Sequence, residues 1–121
     1  MDRVGQLGGV ADRKIKEIIK AFIKVAKLTD LVEGVITAVY PNDEAVALAL
    51  VDGKVHAFAN VCTHDDGPLD EGSIVDGCVV CPRHGARFDL TTGSGHFPAA
   101  GPIAIHNVCI EGGSVLVQVT E

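Results

Sequence analysis

Residues 45–59, Ala45-Val46-Ala47-Leu48-Ala49-Leu50-Val51-Asp52-Gly53-Lys54-Val55-His56-Ala57-Phe58-Ala59, decide the fold class. Two β-prone runs flank Asp52-Gly53, a dipeptide that accepts the left-handed backbone of a two-residue hairpin turn. The device recurs downstream. Ser73-Ile74-Val75 and Cys78-Val79-Val80 flank Asp76-Gly77, and His106 to Glu111 and Ser114 to Thr120 flank Gly112-Gly113. Upstream, Val35-Ile36-Thr37-Ala38-Val39-Tyr40 reads as a further strand that ends at a Pro41-Asn42-Asp43 turn. Short strands at this spacing predict an all-β chain, an antiparallel sandwich or small barrel. Apolar residues make up 47% of the 121 residues but aromatics only 4%, so the core is expected to be built from Val, Ile, Leu and Ala. A single domain of this length can bury such a core without disulfide staples.

The N-terminus reads differently. Residues 1–9 are glycine-rich, and Ala11 to about Ala21 is expected to form one helix. Ile15, Ile18, Ile19 and Phe22 recur at helical spacing, with Asp12 as a candidate cap. A strand is expected to begin near Phe22. This divides the chain into an extension, 1–21, with a basic amphipathic helix and a domain over 22–121. Residues 1–30 carry seven of the ten Lys and Arg residues and only four of the sixteen acids, so the remainder is strongly acidic. The helix is expected to pack its Ile stripe on the β core; contact with a membrane surface, a partner or a second copy is the alternative. An acidic body argues against nucleic acid as partner. It suits a protein with a basic patch, and it suits solubility equally. Apolar stretches fall far below the about twenty residues that span a bilayer, so no transmembrane segment is expected. The start of the chain lacks a signal-peptide pattern. The expected compartment is cytoplasmic, where four cysteines read as metal ligands or buried thiols before disulfides.

Two loops carry the chemistry. Cys62-Thr63-His64 follows one expected strand and Cys81-Pro82-Arg83-His84-Gly85 follows another, with sixteen residues between His64 and Cys81. Each loop offers one thiolate and one imidazole. Two Cys and two His suit one tetrahedral zinc ion. Zinc fingers, however, usually take a Cys pair from one element and a His pair from another. One of each per loop suits a two-iron cluster, with both thiolates on one iron and both imidazoles on the other.

Cys-x-His, sixteen residues, Cys-x-x-His resembles the ligand signature of the Rieske family. The neighbouring words Cys62-Thr63-His64-Asp65-Asp66-Gly67-Pro68-Leu69 and Cys81-Pro82-Arg83-His84-Gly85-Ala86-Arg87-Phe88-Asp89 are similar to that family too, and Gly93-Ser94-Gly95-His96-Phe97-Pro98-Ala99 resembles its proline loop over the cluster. The resemblance runs from about Phe22 to Val119. It implies an antiparallel β-sandwich with a smaller cluster-binding subdomain. It also implies a [2Fe-2S] cluster on Cys62, His64, Cys81 and His84. Respiratory members of the family add a cysteine to each loop and join them; the matching positions here are Gly67 and Arg83, so that disulfide is ruled out. Those members also place Ser and Tyr hydroxyls near the cluster, where this chain has Ala86 and Phe88. Fewer donors to the sulfurs imply a lower potential.

The resemblance points to the soluble ferredoxins of bacterial aromatic-ring dioxygenase systems. It implies a one-electron carrier, not an enzyme, between a flavin-dependent ferredoxin reductase and a Rieske terminal oxygenase. Its docking tip is expected at His64 and His84, ringed by Pro68, Leu69 and Pro98. Two other readings stay open: a small subunit of a nitrite-reductase-like redox enzyme, and a zinc-stabilised interaction module. Cys78 and Cys109 read as buried strand residues, and His56, His96 and His106 as structural or surface residues, with His96 alone a candidate for contact near the cluster. Thr63, Gly67 and Gly85 are secondary candidates: the glycines let backbone N–H groups approach the sulfurs, or simply serve tight loops. Arg83 and Arg87 are candidates for tuning the charge of the cluster or for pairing with Asp65, Asp66 or Asp89.

Overall fold

The structure is a computed structural model and describes residues 21–120. The helix expected over 11–21 lies outside these residues except for Ala21, and no α-helix occurs among the described residues. Among the described residues ten strands follow one another: β1 (Ile23–Lys27), β2 (Ile36–Val39), β3 (Val46–Val51), β4 (Lys54–Ala59), β5 (Ser73–Val75), β6 (Cys78–Val80), β7 (Arg87–Asp89), β8 (Gly95–His96), β9 (Ile105–Glu111) and β10 (Ser114–Gln118). They form a six-stranded sheet in the order β1-β10-β9-β4-β3-β2 and a four-stranded sheet in the order β5-β6-β7-β8. Every strand pairing in both sheets is antiparallel.

The three expected hairpins form because their central residues accept positive φ: Asp52 and Gly53 at 52° and 78°, Asp76 and Gly77 at 49° and 77°, Gly112 and Gly113 at 55° and 81°. Two such residues in succession give the turn whose twist matches that of the flanking strands. The Pro41-Asn42-Asp43 turn is a short 3₁₀ segment between β2 and β3.

The large sheet is buried on both faces at its centre. Ala47 and Ala49 of β3 belong to a core cluster with Phe58, Phe88, Leu69, Leu90 and Ile103. The alternate residues Val46 and Leu48 belong to a second cluster with Val55, Ala57, Val115 and Val117. This explains the uninterrupted apolar run of β3, since a strand covered on both sides has no polar face to show. Ala47 lies directly opposite Phe58 in the ladder. A small residue there leaves room for the ring, whose full burial contributes roughly 1.5–3 kcal/mol. The first cluster also contains Cys62, Cys81 and Ala86. The cluster loops are therefore rooted in the core that joins the two sheets.

Candidate metal centre

The first loop leaves β4 and the second leaves β6, and both have the same backbone plan. The Cys62 N–H donates to the Gly67 carbonyl at 2.8 Å, and the Asp66 N–H to the Cys62 carbonyl at 2.7 Å. In the second loop the Cys81 N–H donates to the Ala86 carbonyl at 2.8 Å, and the Gly85 N–H to the Cys81 carbonyl at 3.1 Å. The fourth residue after each cysteine turns left-handed, Asp66 at φ 61° and Gly85 at φ 78°. Each cysteine is thereby held at the root of its loop with its side chain in the core.

The four candidate ligands separate by chemistry. Cys62 and Cys81 are 0% and 1% exposed. Their sulfurs and one Asp65 carboxylate oxygen lie within 4.8 Å of one another. His64 and His84 are exposed, with ring centres 4.9 Å apart and planes at 82°. Burial pushes the Cys62 thiol up, partly offset by the backbone N–H groups of His64 and Asp65. The His64 N–H lies 3.4 Å from the Cys62 sulfur. A buried thiol is a poor anion by itself, and a positive metal centre makes it a thiolate. Two sulfurs inside and two imidazoles at the surface, delivered as one of each per loop, fit a two-iron cluster with unlike irons.

Three side chains fix these loops. Asn60 is buried at the exit of β4. Its Oδ1 accepts the Leu69 and Asp70 N–H groups at 2.6 and 2.9 Å, and its Nδ2 donates to Asp70 at 3.0 Å. The Thr63 hydroxyl donates to the Gly101 carbonyl at 2.7 Å and accepts the Gly101 N–H at 3.1 Å, tying the first loop to the 97–101 segment. Asp65 accepts the Gly67 N–H at 2.9 Å and two hydrogen bonds from Arg83, at 2.6 and 3.2 Å. Arg83 and the Gly67 N–H hold the Asp65 carboxyl well below the usual carboxylate range. The sequence does not single out Asn60; its one signal there is a polar residue two positions before a candidate ligand, at a strand end.

The structure meets some expectations and corrects others. Leu69 is fully buried in the core and is no part of an exposed tip. Phe97, not among the residues expected at the tip, is 94% exposed on the proline loop. Cys78 is buried as expected, whereas Cys109 is only half-buried. His106 is buried and its Nδ1 accepts the Thr120 N–H at 3.0 Å, while His96 is exposed on β8 opposite Arg87. Arg83 takes Asp65 as partner. Arg87 donates to the Val75 carbonyl, and Asp89 caps the turn at Thr91 and Thr92. A groove of about 450 Å³ beside β4 and β9, lined by Val55, His56, Leu90, Ile105 and His106, contains none of the four candidate ligands.

The Rieske [2Fe-2S] domain family matches residues 21–110. The ferredoxin component of the p-cumate 2,3-dioxygenase system of Pseudomonas putida is 35% identical over 109 residues, covering 80% of this chain and 92% of that one. A ferredoxin of Sphingomonas yanoikuyae B1 superposes with a TM-score of 0.76 at 32% identity, over 83% of this chain and 100% of the other. A chain from the complex of reduced oxygenase and oxidized ferredoxin in carbazole 1,9a-dioxygenase has a TM-score of 0.76 at 28% identity, over 82% and 94%. The chain belongs to the Rieske [2Fe-2S] family. Its cofactor is accordingly a [2Fe-2S] cluster of the two-Cys, two-His type, and its role is electron transfer rather than catalysis. The zinc reading falls with that membership. Among the described residues, no helix is long and apolar enough to cross a membrane.

Proposed function

We propose that Cys62, His64, Cys81 and His84 are the four cluster ligands, and that this chain passes single electrons from a flavin-dependent reductase to a Rieske terminal oxygenase. The observation that carries this reading is the convergence of two buried sulfurs and two exposed imidazoles from paired loops. When bound, the cluster supplies reversible one-electron chemistry. Neutral imidazoles in place of two thiolates make the centre easier to reduce than an all-cysteine one. The buried cysteines anchor it, and the exposed histidines set its electron-exchanging side against a partner. Pro68 and Phe97, both exposed, and half-buried Pro98 complete that tip. Ala86 and Phe88, buried and without hydroxyls, leave the centre with fewer donors and place its potential on the low side of the family. The oxygenase partner is supported by the carbazole 1,9a-dioxygenase complex, in which a similar chain is recorded with an oxygenase. Residues 22–121 form the cluster domain in this reading and 1–21 an extension. The proposed compartment is the cytoplasm, where the thiols of Cys78 and Cys109 stay reduced.

The test is direct. Purified protein is expected to contain iron and acid-labile sulfide, to absorb in the visible, and to become paramagnetic on one-electron reduction. Product formation by a reductase and oxygenase pair is expected to require the chain. A His84→Ala protein that keeps an ordinary cluster would defeat the ligand assignment. Reduced protein unable to donate to any Rieske oxygenase would defeat the role.

A further inference from the structure

Three features of the molecule meet at one place between the cluster loops. The first is Arg83, which sits in the second loop between Cys81 and His84 but makes its strongest contacts with the first. Its Nε donates to Asp65 Oδ2 at 2.6 Å, one Nη donates to Asp65 Oδ1 at 3.2 Å, and the same Nη donates to the Pro68 carbonyl at 2.8 Å. The second is Gly67. A Cβ at that position would stand 2.6 Å from Arg83 Cζ, so the guanidinium fills the space that a side chain would need. The third is the location of Asp65. Its carboxylate lies 3.9 Å from the Cys81 sulfur and 3.5 Å from His84 Nδ1. An unpaired carboxylate there would add negative charge beside a centre that itself gains negative charge on reduction.

We propose that Arg83 is a positioning residue that clamps the two cluster loops together through Asp65 and the Pro68 carbonyl, and that its charge cancels that of Asp65 beside the cluster. The inference rests on the cluster assignment made above. A planar guanidinium with a two-pronged carboxylate contact has defined geometry as well as charge. It joins loops whose backbones otherwise close only upon themselves. The two side chains are 31% and 18% exposed, so the pair is partly shielded from solvent.

The clamp and the charge separate experimentally. In purified, cluster-loaded protein, Arg83→Gln is expected to release iron to a chelator several-fold faster than the parent and to lower the reduction potential. Asp65→Asn is expected to raise the potential, and the double variant to return it close to the parent value. Arg83→Lys keeps the charge without the fork, so it is expected to restore the potential while iron loss stays fast. Gly67→Ala retains all charges and candidate ligands but displaces the guanidinium, and is expected to speed iron loss on its own. It therefore serves if Arg83→Gln takes up no cluster. Parent-like iron release in Gly67→Ala and in any loaded Arg83→Gln overturns the clamp. Potentials that fail to move in opposite directions in Arg83→Gln and Asp65→Asn overturn the charge role. Either result leaves the cluster assignment standing, because both are read on a loaded protein. A parent protein without a cluster overturns assignment and clamp together.

Discussion

The two cluster loops are near copies in backbone and unlike in their anchoring. Each closes with a hydrogen bond from the cysteine N–H to the carbonyl five residues on, and each turns left-handed at the fourth residue after the cysteine. The first loop is pinned by Asn60, Thr63 and Asp65. The second is joined to the first through Arg83, whose guanidinium binds Asp65 and the Pro68 carbonyl, with His84 Nδ1 a further contact to Asp65 at 3.5 Å. The histidine also differs, standing two residues after Cys62 but three after Cys81. Backbone geometry therefore sets where the sulfurs lie, while side-chain anchoring determines how firmly each loop is held. The first loop is the template and the second is fastened to it.

This comparison can be broken most severely at the sulfurs. Cys62→Ser and Cys81→Ser are each expected to abolish the visible cluster absorption, since neither loop is dispensable; iron and sulfide analysis of both proteins checks it. Retention of a normal cluster by one of them would end the equivalence of the loops. The next largest effect belongs to the anchoring. Asn60→Ala leaves the Leu69 and Asp70 N–H groups without their acceptor, at about 2–4 kcal/mol by the cost of unsatisfied buried groups. Denaturant unfolding measures it, and a loss under about 0.5 kcal/mol would show that the first loop does not depend on this pin. The left-handed positions give a smaller contrast. Gly85→Ala meets no atoms within 4 Å but must hold φ near 78°, so it is expected to cost about 1–2 kcal/mol. Asp66→Gly relieves the same strain in the other loop and is expected to gain less than about 1 kcal/mol. Equal signs for the two changes would disprove the shared plan.

The smallest expected effect is a control outside both loops, at His56 of β4. Burial, and then the charge of Lys54, lower the pKa of His56 below its ordinary 6.5. The unfolded chain takes up that proton near 6.5 while the folded chain resists it until lower pH. The unfolded state thus binds more protons below that point, and the His56 contribution to stability falls as pH falls. Thermal midpoints between about pH 8 and about pH 5 are expected to decline less in His56→Gln than in the parent. Parallel profiles would remove His56 from the pH response.

What the sequence determined by itself is local. Asp52-Gly53, Asp76-Gly77 and Gly112-Gly113 were readable as hairpin turns because the backbone demand of the turn is met by those residues alone. The two Cys and two His proposed as ligands stand out in the sequence because ligand chemistry restricts residue type and spacing within each loop. Strands β7 and β8, three and two residues long, show no two-residue period, and unlike the equally short β5 and β6 they flank no Asp-Gly turn to mark them. Tertiary structure alone decided that Leu69 goes inside while Phe97 stands out, that Arg83 takes Asp65 and not Asp66 or Asp89, and that Thr63 reaches Gly101 thirty-eight residues away. Each of those outcomes is a choice among chemically similar candidates. Such choices are made by which segments the packed sheets bring together, and no short window of sequence contains that information.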